Sequence, residues 1–584
     1  MNWRGKATMI DYSVIKKTMQ SFSFGSLKSF LGEDLVDSLI EWTQEGESVY
    51  TKAKLTQLIL TVKGLRLLKE KDFRKQLLLH YKPDKKLYDF VQYLPLKANE
   101  TDLNKIIELI VDVPWRVNAV SNLFLNLFNL DSSILVEEKE EEQVEESLTS
   151  DGVFYELLDY QYVIRQKALN VLDSDIIMPR LLVHMPTGTG KTKTATHIIC
   201  NHFNNKLQKN GLVVWIAHTT ELLYQAYLTF VDVWKHLGNG SIKTYKLWGN
   251  NEIEITDKPL TGFMVCGIQK LIAIKNSRPD LFEKIVQDAS LIVYDEAHKA
   301  AATETRNTIE SMMIMKPGMK NRALMGLTAT PGRSTQQSFD NTLLSTMFDN
   351  RIITIDTDLM NQINLTKQQA LNATVETDII GYFQKRRILS KIKKEQLTYA
   401  EQFSDADLRK IRVTANANGY EDFTKNALEV IGRNRSRNLR ILQKLRELND
   451  NKIPTIVFAC SVKHAQMLSS MLTIENIPNA TVIGDMTKAE RENAIKQFKD
   501  RTNDVNILIN YEVLTTGFDS KNIRCVFITR PTQSVVLYSQ MLGRGLRGPK
   551  MGGNEECLLI DIKDNLKQFN EHMAFSHFDN YWKN

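Results

Sequence analysis

The sequence predicts an α/β protein with two parallel-sheet lobes in tandem, a helical domain ahead of them and a helical insertion between them. Three observations carry this expectation. Short apolar runs alternate with helical stretches over residues 151–355, and the same alternation returns from about residue 446 to 565. The residues ahead of the first block show helical periodicity instead.

In the first segment, residues 1–150, Leu103, Ile106, Ile107 and Ile110 recur at the i, i+3, i+4, i+7 spacing that lays one apolar stripe along a helix. The acidic run from Glu137 to Glu146 repels itself and offers little to bury. It reads as a solvated linker or helix surface, with a domain boundary near residue 150.

In the block 151–355, Leu181 to Met185, Leu212 to Ala217, Phe263 to Cys266, Leu291 to Tyr294 and Ala323 to Leu327 read as buried strands of a parallel sheet wrapped by helices. Residues 356–445 are polar and expected to be helical. They carry Lys385, Arg386, Arg387, Lys391, Lys393 and Lys394, then Arg433, Arg435, Arg437 and Arg440. Such a stretch either touches phosphates or forms a solvated helical face. The block 446–584 supplies strands at Thr455 to Ala459, Ala480 to Ile483, Ile507 to Asn510, Arg524 to Ile528 and Cys557 to Asp561.

Bulk properties narrow the class. A chain of 584 residues is long enough for three or four domains, and 42% hydrophobic with 25% charged residues is ordinary globular composition. The formal charge of +6 is too mild to establish nucleic-acid binding alone. The five cysteines form no Cys-x-x-Cys pair, which fits a reduced compartment and argues against a structural zinc. No segment approaches the ~18 uninterrupted apolar residues of a membrane span, so the expected location is cytoplasmic.

The chemistry is concentrated in two motifs. Met185-Pro186-Thr187-Gly188-Thr189-Gly190-Lys191-Thr192 lies between an expected strand and an expected helix, the context of a phosphate-binding loop. Its backbone amides can cradle phosphates, Lys191 can reach the β and γ phosphates, and the Thr192 hydroxyl can ligate Mg²⁺. Met185 stands where the general pattern has its first glycine. About a hundred residues on, Asp295-Glu296-Ala297-His298 ends an apolar run, at the carboxyl end of a strand where α/β sheets bind ligands. A structural acidic turn is the bland reading. With the loop upstream, Asp295 is assigned to Mg²⁺ and Glu296 to orienting or deprotonating the attacking water.

Together these motifs resemble the DEAD/DEAH-box superfamily 2 helicases and translocases, and other family motifs follow in order over roughly residues 155–565. The resemblance implies two RecA-like lobes with ATP and Mg²⁺ between them. Leu157-Leu158-Asp159-Tyr160-Gln161 resembles the adenine-reading Q motif, with Gln161 as reader and Gln166 as competitor. Ile216 to Leu222 resembles motif Ia, Gly267-Ile268-Gln269-Lys270 motif Ic, and Leu327 to Pro331 motif III. Thr455 to Ser461 resembles motif IV, Leu514-Thr515-Thr516-Gly517-Phe518-Asp519 motif V, and Gln540 to Arg547 motif VI. Gly267 replaces the usual threonine of motif Ic.

By this resemblance, Gln161, Thr187, Gly188, Thr189, Gly190, Lys191, Thr192, Gly517 and Asp519 bind the nucleotide. Glu296, Lys191, Arg544 and Arg547 are catalytic, the arginines reaching across the cleft. His218, Thr219, Gln269, Ser461, Thr515 and Thr516 hold a nucleic-acid backbone, expected to be DNA. The resemblance is to the bacterial type. Two other settings remain open: an ATP-gated sensor or scaffold recruiting a protein partner through residues 1–150, and the motor subunit of a restriction or antiphage complex.

Overall fold

The computed structural model describes residues 11–562, apart from 44–50, 82–83, 96–101, 136–143, 153–154, 208–210, 315–320, 332–337, 356–378, 400–406, 408–409, 412, 416–420, 501, 516–517, 519 and 533. Among the described residues, no helix is long and apolar enough to cross a membrane.

From Ser13 to Ile134 the described elements are helices. Their starts follow local chemistry: the side chains of Ser23, Thr51, Asp102 and Asn118 each accept a backbone N–H of the helix they precede. The expected stripe forms, with Ile106, Ile107 and Ile110 buried in helix Leu103–Asp112. This domain is seated on the second lobe, not on the lobe that follows it in sequence. Helix Lys52–Lys63 packs on helix Val462–Ile474, and Leu55, Leu58 and Ile59 belong to one buried cluster with Leu468, Met471 and Leu472.

The first lobe contains strands β1 (Glu145–Leu148), β2 (Arg180–His184), β3 (Leu212–Ala217), β4 (Ile242–Leu247), β5 (Gly262–Gly267), β6 (Ala289–Asp295), β7 (Ala323–Thr328) and β8 (Ile352–Ile353). They form one sheet in the order β1-β4-β5-β3-β6-β7-β2-β8, parallel except for β1 against β4. The chain continues through β9 (Lys391–Leu397) and a hairpin of β10 (Val413–Ala415) and β11 (Glu421–Phe423). The second lobe follows with β12 (Thr455–Phe458), β13 (Asn479–Val482), β14 (Ile507–Asn510), β15 (Cys525–Ile528) and β16 (Glu556–Ile562). Its sheet is parallel throughout, in the order β13-β14-β12-β15-β16-β9. The architecture is α/β with two RecA-like lobes.

Two stretches differ from the sequence reading. The end of the acidic run is not a solvated linker: Glu145–Leu148 adds an edge strand to the first sheet, so that sheet begins before residue 151. The charge of Glu146 is matched there, by Lys246 Nζ at 2.6 Å and by the Tyr227 hydroxyl, which donates to it. Residues 136–143 of the run lie outside the described residues.

The insertion is also not wholly helical, because Lys391–Leu397 becomes the edge strand β9. An edge strand tolerates charge where a partner meets it, and here Lys393 pairs with Glu556 at 2.6 Å and Glu395 with Lys444 at 2.8 Å. Several basic residues of this segment work within the chain. Arg386 lies 3.8 Å from the Tyr382 ring centroid, Arg387 pairs with Glu555, and buried Arg437 donates to Thr529 O.

Candidate active site

Sheet register gathers the first-lobe motifs. His184 at the end of β2 pairs with Thr328 of β7, and Asp295 at the end of β6 pairs with Leu327. The phosphate-loop segment, the Thr328 segment and the acidic pair therefore leave three adjacent strands at their carboxyl ends. Met185, the departure from the loop pattern, is fully buried and donates its N–H to Thr328 O at 3.1 Å, so it extends the strand as a core anchor.

The loop then turns on Thr189, whose N–H and hydroxyl both donate to Pro186 O, at 3.2 and 2.7 Å. Gly188 and Gly190 adopt φ of +85° and +84°, where a side chain is strained. Helix Lys191–Asn201 starts immediately, placing its free N–H groups at the loop.

Gln161 is 1% exposed and faces this loop. Its Oε1 accepts from Leu158 N at 3.0 Å, and its Nε2 donates to Thr189 O at 2.9 Å and Tyr160 OH at 3.3 Å. Tyr160 OH also donates to Thr189 O, at 2.7 Å. Both ends of the amide are thus occupied within the chain, and Gln161 braces the loop. A Cβ on Gly190 would lie 2.3 Å from Gln161 Nε2, so the glycine also makes room for the brace. Gln166 is turned elsewhere, donating to Tyr162 OH.

Lys191 Nζ sits 3.8 Å from Asp295 Oδ1 and 3.7 Å from Glu296 Oε1. Glu296 is held at φ +52°, and its N–H donates to Asp295 Oδ1 at 2.9 Å. Burial pushes the Asp295 carboxyl up, to about 6, against the pull of Lys191. Burial pushes Glu296 up as well, but Lys191 and the other neighbouring cations, Arg544 among them, outweigh it and keep this carboxylate ionised. Behind it, His298 Nδ1 lies 3.3 Å from Glu296 Oε2 and 3.2 Å from Thr328 Oγ1. Burial pushes His298 down to about 3, so it is a neutral link between Glu296 and Thr328 within the first lobe.

The second lobe closes the site. Lys191, Thr192, Asp295 and Glu296 share a cavity of about 240 Å³ with Gly543, Arg544 and Arg547. Arg544 is largely spent: Nε donates to Gln540 O at 3.2 Å, Nη2 to Thr515 O at 2.9 Å and Nη1 to Phe518 O. It holds the segment around Phe518 in place. Arg547 is fixed through its backbone, whose carbonyl accepts from Ser390 Oγ at 2.7 Å, and which lies 4.0 Å from a Cβ built on Gly188. Sequence reasoning missed Ser390 and Tyr160, whose roles depend on contacts far away in the chain.

The residues expected to grip a strand fall into two groups. Ala217 and Gly267 are register partners on β3 and β5, so His218, Thr219 and Gln269 follow neighbouring strand ends. Phe458 and Asn510 are partners on β12 and β14, so Ser461 and Thr515 do the same in the second lobe. Their polar groups already have uses: Thr219 and Ser461 cap helices, Thr515 Oγ1 donates to Glu512 O, and His218 pairs with Tyr294 OH. Gln269 is exposed. Thr516, Gly517 and Asp519 lie outside the described residues. The lobes also meet at Arg491 and Glu221, 3.4 Å apart.

Two parallel-sheet lobes that bring a phosphate-binding loop and a buried carboxylate pair against arginines of the partner lobe define a two-lobed P-loop protein. Residues 154–333 match the family described as type III restriction enzyme, res subunit, and residues 437–548 match the helicase conserved C-terminal domain. These two matched segments fall on the two lobes, which are therefore similar to the paired domains of superfamily 2 helicases.

It is 25% identical over 387 residues to the ATP-dependent helicase IRC3 of Saccharomyces cerevisiae, covering 66% of this chain and 48% of that protein. A mitochondrial ATP-dependent helicase irc3 of Schizosaccharomyces pombe is 25% identical, covering 71% and 59%. A type I restriction enzyme EcoAI endonuclease subunit of Escherichia coli is 22% identical, covering 67% and 44%. The chain spans about half the length of the curated relatives it matches.

Proposed function

We propose that the chain is a nucleic-acid-dependent ATPase that hydrolyses ATP between its lobes to move along or open nucleic acid, with DNA favoured over RNA. The observation that carries this reading is the shared cavity, where Lys191 and Glu296 of one lobe face Arg547 of the other. In this reading residues 151–355 and 446–584 are the working lobes, with 1–150 and 356–445 as accessory parts.

The chemistry follows from charge placement. Lys191 leaves its carboxylate partners to neutralise the β and γ phosphates, and the amides of the loop and helix start hold their oxygens. Glu296, kept ionised, accepts or orients the proton of the attacking water. Arg547 meets the charge that develops on the transferred phosphoryl group, a contribution of about 10³ to 10⁵ in rate for such arginines. Mg²⁺ fits beside the loop, where the hydroxyl of Thr192 and the buried carboxylate of Asp295 line one cavity. Thr192 and Asp295 would hold it, and when bound it supplies neutralising charge to the phosphates. Arg544 acts by positioning the Phe518 segment.

The strand-end groups of both lobes, His218, Thr219, Gln269, Ser461 and Thr515, support a backbone-gripping path that forms when the lobes close. The restriction-enzyme descriptions of the matched family and of one relative favour DNA, and they also favour a second reading, a motor subunit of a restriction-type complex docked through another surface. ATPase rates with single-stranded DNA, duplex DNA and RNA test the first reading. Stimulation by none of them overturns it, and stimulation by RNA alone overturns the DNA preference.

A further inference from the structure

A second cavity, of about 330 Å³, opens in the seam between the N-terminal helical domain and the second lobe. It is larger than the cavity between the lobes and falls within the range of small-molecule sites. Lys16 and Gln57 enter its lining from the helical domain, and Gln466, Thr481, Asn493 and Gln497 from the second lobe.

These side chains are unlike the structural amide beside them. Asn479, in the same wall, spends its Nδ2 on Ile477 O and Thr473 Oγ1 and accepts from Ser469 Oγ. Among the described residues, the side chains of Lys16, Gln57, Gln466, Asn493 and Gln497 make no hydrogen bond or ion pair within the chain. The hydroxyl of Thr481 is buried and also lacks a partner. Glu490, the acidic residue of the lining, is committed to Thr487, receiving its N–H at 2.8 Å and its hydroxyl at 3.0 Å.

A carboxamide offers one acceptor and a pair of donors on a flat edge, the pattern that matches the edge of a nucleobase. Lysine supplies a point charge that suits a phosphate. Arg66, the other cation of the lining, is already engaged by Lys63 O, Val62 O and Asp485, so, among the described residues, four unpartnered carboxamides, one free lysine and one buried hydroxyl on a single cavity have the chemistry of a nucleotide site carrying one phosphate. We propose that the seam binds a nucleoside monophosphate, at a site separate from the cleft that holds Lys191. The next residue along from Glu490 is Arg491, which reaches Glu221 of the first lobe, so an occupant would sit beside an interlobe contact.

The test is calorimetric titration of the full chain with AMP, GMP, CMP, UMP and inorganic phosphate. The expected result is saturable binding of at least one monophosphate, one per chain and tighter than inorganic phosphate. That binding should weaken about tenfold or more in Gln57→Leu and in Asn493→Leu, since each removes hydrogen bonds to the ligand, and should survive Lys191→Ala. Circular dichroism verifies the fold of each variant, and Gln497→Leu serves if either is misfolded. No saturable binding of any monophosphate overturns the proposal, as does binding that ignores both seam substitutions or that Lys191→Ala abolishes. None of these readouts depends on ATP hydrolysis, so a failed motor reading and a failed seam site are distinguishable.

Discussion

Gly543 of the second lobe lies against Thr187 of the phosphate-binding loop so closely that a Cβ on it would sit 2.6 Å from Thr187 Cγ2. Its backbone, at φ −56° and ψ −18°, is one that any residue adopts, so the need for glycine comes from the other lobe alone. Gly543→Val should therefore leave the fold intact and obstruct closure. Overpacking costs about 1 to 3 kcal/mol, and ATP turnover is expected to fall about tenfold or more. Steady-state hydrolysis with thermal melting measures both, and unchanged turnover would show that the lobes need not meet here.

Lys191→Ala and Glu296→Gln should have separable phenotypes, because one side chain meets phosphate and the other acts on water. The lysine variant should lose nucleotide binding. The glutamine variant should bind ATP and stall hydrolysis. Equilibrium nucleotide binding beside steady-state turnover distinguishes them, and normal turnover in Glu296→Gln removes it from the catalytic role.

The two arginines of the cavity should also separate. Arg547→Ala is expected to keep ATP affinity within a modest factor while turnover falls by about 10³ or more. Arg544→Ala removes donors to three backbone carbonyls and should additionally lower stability, by about 1 to 3 kcal/mol. Denaturant titration of both variants is the measurement. An Arg547→Ala protein that hydrolyses ATP normally would remove Arg547 as the arginine that reaches the phosphoryl group across the cleft.

Much of this arrangement was legible in the sequence, for a physical reason. Leu212–Ala217 and Ile507–Asn510 are buried strands of parallel sheets, so their apolar runs are continuous and their bounds are plain. β1 and β9 were illegible because edge strands carry charges whose partners, Lys246, Glu556 and Lys444, are distant in sequence. Thr219 and Ser461 stand directly ahead of helices, a capping signal that the ligand-directed reading passed over. The brace between Gln161 and Thr189 and the contact between Gly543 and Thr187 belong to tertiary closure, which no local pattern encodes.

Histidine burial sets an acid limit on stability. Burial pushes His184, His197 and His202 down to about 4, and His218 and His298 down to about 3. In the unfolded chain these rings take up protons below about 6.5, whereas the folded chain resists until about 4 for three of them and about 3 for His218 and His298. Falling pH therefore favours the unfolded state, and stability is lost between about pH 6.5 and 3. Burial holds His464 well below its ordinary value too, so Asp295, pushed up, works in the opposite direction as one group against six. Melting temperatures should be level from about pH 8 to 7 and decline below 6.5, and a level profile down to pH 5 would contradict the buried, neutral assignment.

Single-stranded DNA should stimulate the ATPase if, as proposed, the groups after neighbouring strand ends in each lobe engage one backbone together when ATP is bound between the lobes. Linkage makes the effect reciprocal: if ATP tightens the grip on the strand, the strand must tighten the grip on ATP by the same factor. Contacts made to phosphates should weaken as salt rises, with a log-log slope of roughly −0.7 per contacted phosphate on a single strand. The experiment titrates a fluorescent single strand with no nucleotide, with a non-hydrolysable ATP analogue and with ADP, each at several salt concentrations. The expected order is tightest with the analogue, and weaker with ADP or no nucleotide. Equal affinity in all three states would sink the coupled motor, because a cleft that closes on ATP without changing its hold on the strand has no way to convert hydrolysis into movement. Salt-insensitive binding would replace the phosphate-gripping path with base stacking.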